Sequence, residues 1–388
     1  MPVTKPSLEL LRSLTDEHVL RALMSRRRLT RAELATLTGL SKPTVSESVR
    51  RLTDGGVVTD TGERTTGRGR VGSYYALADD VGCAVVVTVA PEAVVTEVVD
   101  VHGGVTGRTE LAVDRPARPA QVGRAVQTGV RRALRDSQGR ARLAVVSAAD
   151  PVSRTTGKLV HLPDAPFLLG DLSPVQVLSR LVNGPVVVDN DVNWAARAER
   201  AAGPPGTMDD VAYVHLGEGL GCAVISDGMV RRGHGGFVGE IAHVVTVGPK
   251  GRALPFTEVF AELGLRRAGS TAIDVDRLLG GIDRGGVRGQ RLISQLAQAI
   301  CGVLAAVVAL ADPSLVVVGG TWGRHPVVLE AIAAELARHP RHTEVRGAEV
   351  TDEPSLVGAR YAALERLQTS VVASATAATE PVAGSGPR

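Results

Sequence analysis

The sequence predicts an α/β protein in two parts, a small winged helix-turn-helix head followed by a layered α/β body. Three observations predict it. The first 78 residues carry three short helical patterns and then two strand patterns around a Gly/Arg tip. Beyond them, apolar strands alternate with amphipathic helices, the pattern of layered α/β folds. Glycine-rich and polar clusters stand at strand ends, where open α/β sheets take their ligands.

In the head, residues 16–26 place Val19, Leu20 and Leu23 on one helical face. Residues 30–37 form a second helix. Thr30 is its N-cap and Glu33 stands three residues on, a capping box, and Gly39 supplies the C-cap. Ser41 caps a third helix with Pro43 in its first turn, and Val45, Val49 and Leu52 make its inward stripe. Residues 57–61 and 73–77 read as strands. The loop between them, TTGRGRVG at 65–72, sets Arg68 and Arg70 between glycines.

The body begins with strands at 83–90 and 94–101 and a turn at 102–104. A helix is expected at 122–135, a strand at 143–147, a helix at 175–181 and a buried strand at 186–188. That strand ends in D-N-D-V-N (189–193), ahead of a helix at 194–202. The strand at 211–216 runs into G-E-G-L-G (217–221), and another at 223–226 ends in the hairpin turn Asp227-Gly228. A long apolar helix at 292–310, a strand at 315–318 ending in Gly319-Gly320, and helices at 327–338 and 355–366 complete it. No repeat at a short fixed period appears. Residues 368–388, rich in Ala, Thr, Ser, Gly and Pro, are expected to be disordered. The expected division is therefore 1–78, 79–367 and 368–388.

The chain has 44% hydrophobic and 22% charged residues, ordinary for a globular protein. Cys83, Cys222 and Cys301 form no CxxC or CxC pair, which fits a reducing compartment. No N-terminal apolar run resembles a signal peptide, and no window is expected to reach the length needed to span a bilayer, so a cytoplasmic location is expected. The charge of +3 is uneven. Residues 1–78 hold 13 Lys+Arg against 8 Asp+Glu, and the remainder 31 against 33. A basic head on a near-neutral body points to a polyanion partner for the head alone. The second helix of a helix-turn-helix enters the major groove, and a slim arginine tip suits a minor groove. Ser41, Lys42, Thr44, Arg50, Arg51, Arg68 and Arg70 are the candidate contacts to double-stranded operator DNA. Paired half-sites imply a homodimer or a dimer of dimers.

In the body the chemistry gathers at G-H-G-G-F-V-G-E-I-A-H (233–243), four glycines in eleven residues. If helical from Val238 onward, this stretch puts Glu240 and His243 on one face, an acceptor and a donor suited to vicinal hydroxyls. Asn190 and Asp191 offer a similar pair at a strand end, and Asp191 is placed to act as a general base.

These segments together resemble the ROK family of repressors, open reading frames and kinases, over about residues 14–367. D-N-D-V-N resembles the family's E-N-D-A-N sugar segment, G-E-G-L-G its G-T-G-I-G phosphate loop, 233–243 its G-x-H-G-x-x-G-E-I-G-H, and 312–320 its D-P-x-x-V-V-x-G-G strand. The resemblance implies a two-lobed actin-like/hexokinase-like (ribonuclease H-like) body with sugar in the cleft. It assigns sugar contacts to Asn190, Asp191, Glu240 and His243, with Glu258 as a further match. It adds Asp164, where the family's P-N-L-P loop has Asn.

Two family features are altered. The first body strand has T-V-A-P-E at 88–92 in place of D-x-G-G-T, and Glu218 replaces Thr in the second loop. Two carboxylates facing triphosphate would repel it by roughly 4 kcal/mol per pair at 4 Å and an effective dielectric near 20. Hence the expectation is a kinase-inactive, sugar-responsive regulator, not an enzyme and without cofactor, most simply a repressor, with a ROK sugar kinase of residual activity or a sugar-independent DNA-binding regulator as the alternatives. The zinc-binding cysteines of some members are missing between 248 and 258, and one imidazole makes no tetrahedral site, so a metal-free loop is expected.

Overall fold

The structure, a computed structural model, describes residues 8–378 apart from 67–70, 136, 138, 163–166, 168 and 169. The head consists of α1 (Leu8–Arg26), β1 (Arg28–Thr30), α2 (Arg31–Thr38), α3 (Lys42–Asp54), β2 (Val58–Arg64) and β3 (Ser73–Leu77). The capping box is in place: Glu33 N–H donates to Thr30 Oγ1, and Thr30 N–H donates to Glu33 Oε2 at 2.8 Å. Gly39 closes α2 at φ +72, a left-handed position open to glycine. Strand β1, too short to be legible as a pattern, pairs with β3, which pairs with β2.

The first lobe holds β4 (Cys83–Val89), β5 (Ala93–Val99), β6 (Val105–Ala112), α4 (Pro119–Ala133), β7 (Ala141–Ala148), α5 (Pro174–Leu178), β8 (Val186–Asn190) and α6 (Asp191–Ala202). Its sheet runs β6-β5-β4-β7-β8. β5 is antiparallel to β4 and β6, and β7 is parallel to β4 and β8.

The second lobe holds β9 (Val211–Leu216), β10 (Leu220–Ser226), β11 (Met229–Val230), a 3-10 turn (Ile241–His243), β12 (Val245–Val247), β13 (Ala253–Pro255), α7 (Phe256–Glu262), α8 (Val275–Asp283), α9 (Gly286–Ala311), β14 (Leu315–Gly319), α10 (Pro326–Leu336) and β15 (Glu344–Gly347). Its sheet, β11-β10-β9-β14-β15, repeats the order and strand sense of the first. The chain therefore contains a structural repeat of whole lobes, hidden from a search for short periods because its sequence is not repeated.

The last helix, α11 (Pro354–Ala378), returns to the first lobe. The sequence expected disorder from residue 368, yet Val371, Val372 and Ala375 are buried in the cluster that also holds Leu20, Leu23 and Val49 of the head. Apolar positions every three or four residues outweigh the Ala/Thr/Ser composition here. Gln368 donates to the Val101 carbonyl at 3.1 Å and Arg142 donates to Ser374 Oγ at 2.8 Å. Glu97, buried in β5, receives Arg360 of α11 at 2.8 Å and Arg108 at 2.7 Å. Gly358 crosses α6 so closely that a Cβ there would overlap the Trp194 carbonyl.

A second expectation is corrected by α9. It is long and apolar enough to cross a membrane, with a mean hydropathy of 2.0 over its best window. Leu296, Ile300, Val303 and Leu304 of α9 are instead buried in the second lobe's core against Phe256, Phe260 and Trp322.

Candidate functional site: a cleft between two lobes and a basic head

A cavity opens between the lobes. The first lobe lines it with Asp150, Asn190 and Asp191, the second with His215, Glu240 and His243. Asn190 ends β8 and caps α6: its Oδ1 accepts from Val192 N–H at 3.0 Å. Its amide donates to the carbonyls of Ala148 and Asp150 at 3.3 and 3.4 Å, fastening the end of β7. Asn190 therefore both caps the helix and lines the cavity. Asp191 is the first residue of α6, and its Oδ1 accepts from Val192 N–H at 2.8 Å. Burial pushes the Asp191 carboxyl up to about 6, which suits a proton acceptor near neutral pH.

The stretch from Val238 onward is not an α-helix. Residues 238–239 form a turn, and only Ile241–His243 make a 3-10 turn. The reason lies in the glycines. Gly236 and Gly239 adopt φ +98 and +97, and a Cβ on either would overlap a carbonyl, that of Val152 or of Cys222. Glu240 and His243 still both line the cavity. Burial, then the charge of Asp191, pushes Glu240 up to about 7.

Glu258 does not line the cavity. It is half-exposed in the first turn of α7 and pairs with Arg266 at 2.9 Å, while its neighbour Thr257 faces the cleft. Asp164 lies outside the described residues.

Sequence reasoning missed Asp150. It sits just past β7, is 3% exposed, and leaves Oδ1 without a hydrogen-bond partner. Burial, with the charges of Asp191 and Glu240, pushes it up to about 7. The signal the sequence offers for it is its position just past a strand end. His215, also missed, is held neutral, pushed down to about 4 by burial.

The expected clash of Glu92 and Glu218 with triphosphate rested on unpaired charges. Arg115 instead joins the two, donating to Glu92 at 2.9 Å and to Glu218 at 2.8 Å, and Arg267 pairs with Glu218 as well. Two acids meet two guanidiniums, so the local charge is balanced. Since Arg115 belongs to the first lobe and Glu218 to the second, the knot also ties the lobes across the cleft mouth. In the segment that carries zinc cysteines elsewhere, β12 and β13 form a hairpin whose turn offers no thiol. The donor set does not fit zinc, and among the described residues no group of three His, Cys, Asp or Glu could hold a metal ion.

In the head, Ser41 caps α3, accepting from Thr44 N–H at 3.3 Å, and Lys42 is exposed beside it. Arg50 is exposed and pairs with Glu47 at 2.6 Å. Arg51 does not face outward as expected. It is 16% exposed and its guanidinium donates to the buried Asp16 of α1 at 2.7 Å. A core acid lacking a counter-charge draws it inward. Arg68 and Arg70 lie outside the described residues.

Residues 92–366 match the ROK family model, and residues 12–59 match a winged helix-turn-helix DNA-binding model. The chain belongs to the ROK family. Its two-lobed body and winged head are shared with a solved ROK family transcriptional regulator, a homolog of the E. coli MLC protein, at a TM-score of 0.61 and 16% identity over 94% of this chain and 99% of that one. A ROK glucokinase from Streptomyces griseus, solved with glucose and AMPPNP, superposes at a TM-score of 0.56 and 24% identity over 73% of this chain and all of that one. Among curated relatives, N-acetylmannosamine kinases of Escherichia coli O127:H6 and Salmonella typhi are 28% and 29% identical over 213 residues, spanning 52% of this chain and 69% of theirs. These kinase relatives overturn the expectation that the chain is no enzyme, and the balanced charges around Arg115 remove its physical argument.

Proposed function

We propose that this ROK protein is a sugar-responsive transcriptional regulator, most simply a repressor, that works in the cytoplasm as a symmetric dimer on paired half-sites of DNA. The observation that carries this reading is the continuous packing from cleft to head. Asp191 opens α6. α6 is crossed by α11 at Gly358, and α11 shares a buried cluster with α1 through Val371, Val372 and Ala375. α1 in turn holds α3 by Asp16, which accepts from Ser48 at 2.5 Å and from Arg51 at 2.7 Å. His102 of the first lobe also meets the Met24 carbonyl at the end of α1, at 2.9 Å. Rigid elements packed in series support coupling between two sites when the lobes have two arrangements. In this reading Asn190, Asp191, Glu240 and His243 grip the sugar. Ser41, Lys42, Thr44 and Arg50 face DNA with Arg68 and Arg70, and lobe closure re-spaces the two heads. A tenfold change in DNA affinity requires only about 1.4 kcal/mol of coupling.

The test is a gel-shift series with full-length protein, a DNA duplex selected by the protein in vitro, and a panel of monosaccharides. A shift in apparent Kd with one sugar supports the reading, and the direction of the shift distinguishes repression relieved from repression imposed. No DNA binding at any salt concentration would end it.

A second reading is favoured by Asp191, a cleft carboxylate near neutrality at a helix N-terminus, and by the kinase relatives: the same cleft phosphorylates its sugar. A coupled assay for ADP release with each sugar of the panel tests it, and turnover with any sugar would support it.

A further inference from the structure

The cavity carries more negative charge than neutral hydroxyls call for. Three carboxylates converge there: Asp150 from the end of β7, Asp191 from the first turn of α6, and Glu240 from the second lobe. Their charges act on one another, since Asp191 and Glu240 both raise Asp150. Among the described residues no arginine or lysine pairs with any of the three. The basic groups that line the same cavity are Arg115, His215 and His243. Arg115 is committed to Glu92 and Glu218, and His215 is neutral by burial. Arg232 nearby is spent on Asp189, at 3.3 Å. Asp150 is almost wholly buried, and its Oδ1 has no hydrogen-bond partner. A buried carboxylate oxygen left without a donor is costly, and native structures rarely leave one so without a ligand, ion or water to fill it.

The partner that resolves this is a donor-rich cation of ligand size. A metal ion fits less well, because the three acids do not form a metal-holding group. An ammonium on a sugar ring supplies both the charge and the protons, while the ring hydroxyls still meet Glu240 and His243. We propose that the sugar recognised by this cleft carries a free protonated amine, a hexosamine rather than a neutral or N-acetylated hexose, and that Asp150 selects it. The proposal rests on the sugar-binding reading and narrows it to one ligand class.

Isothermal titration calorimetry on the full chain at pH 7.5 tests it, with D-glucosamine, D-mannosamine and D-galactosamine, their N-acetyl derivatives and the parent hexoses. At least one free hexosamine is expected to bind on the order of tenfold tighter than its N-acetyl and neutral counterparts. In Asp150→Asn, whose side chain has nearly the same shape without the charge, that preference should collapse to about unity. A second measurement needs no variant. Wild-type affinity for the hexosamine should fall on the order of tenfold between pH 8 and pH 5.5, as Asp150, Glu240 and Asp191 take up protons, while affinity for the neutral hexose falls less. Hexoses binding as tightly as hexosamines would overturn the proposal and leave the sugar reading standing. A preference that survives Asp150→Asn would remove Asp150 from the account. If no sugar of any kind binds, both the proposal and the reading beneath it fall.

Discussion

Replacing Arg51 separates two roles for one residue. Asp16 is 1% exposed and receives three side-chain donors: Ser48 Oγ at 2.5 Å, Arg51 Nη2 at 2.7 Å and Arg51 Nε at 3.3 Å. Arg51→Ala removes two of the three and the whole counter-charge. Breaking a buried ion pair by deleting one partner costs about 3–5 kcal/mol, because the remaining charge is uncompensated. Ser48 keeps one charge-assisted hydrogen bond in place, which sets the expected cost at the lower end, about 3 kcal/mol. The assay is native-state hydrogen exchange of the α1 and α3 amides, where about 3 kcal/mol lowers protection by roughly two powers of ten. Asp16→Asn in the same chain should recover most of the loss, since it leaves an amide rather than a bare charge. A phosphate contact would behave otherwise, lowering the slope of log Kd against log salt by about one while protection stays constant. Unchanged protection together with that loss of slope would refute the buried-strut account.

Three further outcomes follow from the same geometry. Gly358→Val places a branched side chain against the Trp194 carbonyl at the α6–α11 crossing, so thermal stability should fall by about 1–3 kcal/mol or more. If the variant folds, its DNA affinity should no longer respond to sugar, and an intact response would break the proposed route. Arg115→Ala removes the guanidinium that bridges Glu92 of the first lobe and Glu218 of the second, leaving Glu92 without this partner and Glu218 with Arg267, so the radius of gyration in solution scattering should rise. Glu92→Gln with Glu218→Gln in that background should restore it, and an unchanged radius in Arg115→Ala would show that the knot does not hold the lobes. Asp150→Asn should stabilise the ligand-free protein in alkaline solution. Asp150 is raised from its ordinary value to about 7, so the fold disfavours its ionised form, and stability declines as pH rises from about 4 toward 7. The variant should therefore match the parent near pH 4 and exceed it by on the order of 3 kcal/mol at pH 8, a gap read from urea midpoints. Equal midpoints at pH 8 would mean Asp150 is better solvated than its burial indicates.

What the sequence made legible was local. Thr30, Glu33 and Gly39 mark α2 because capping chemistry acts over three or four residues. Asp227-Gly228 marks its hairpin for the same reason, with φ +51 and +70 at the two turn positions. The cleft residues Asn190, Asp191, Glu240 and His243 were legible through motif resemblance and strand-end position. What escaped depends on partners distant in the chain. Arg51 looked like a DNA contact because its attraction to Asp16 lies 35 residues back. Glu92 and Glu218 looked repulsive because Arg115 and Arg267 are remote from one or both. The end of α11 looked disordered because small residues bury well only where a neighbouring surface waits, here α1 and the first lobe. Asp150 was missed because burial, not residue type, makes it unusual. Strands β1, β6 and β15 add edges to sheets whose order no local pattern reveals.

In the proposed reading, cleft occupancy and DNA affinity are linked through α6, α11 and α1. The most direct measurement is fluorescence anisotropy of a labelled in vitro-selected duplex, titrated with the full chain in the absence and presence of a saturating sugar that calorimetry shows to bind. A change in Kd of about tenfold is expected, corresponding to about 1.4 kcal/mol of coupling. A sugar that binds by calorimetry yet leaves the DNA isotherm where it was would contradict it.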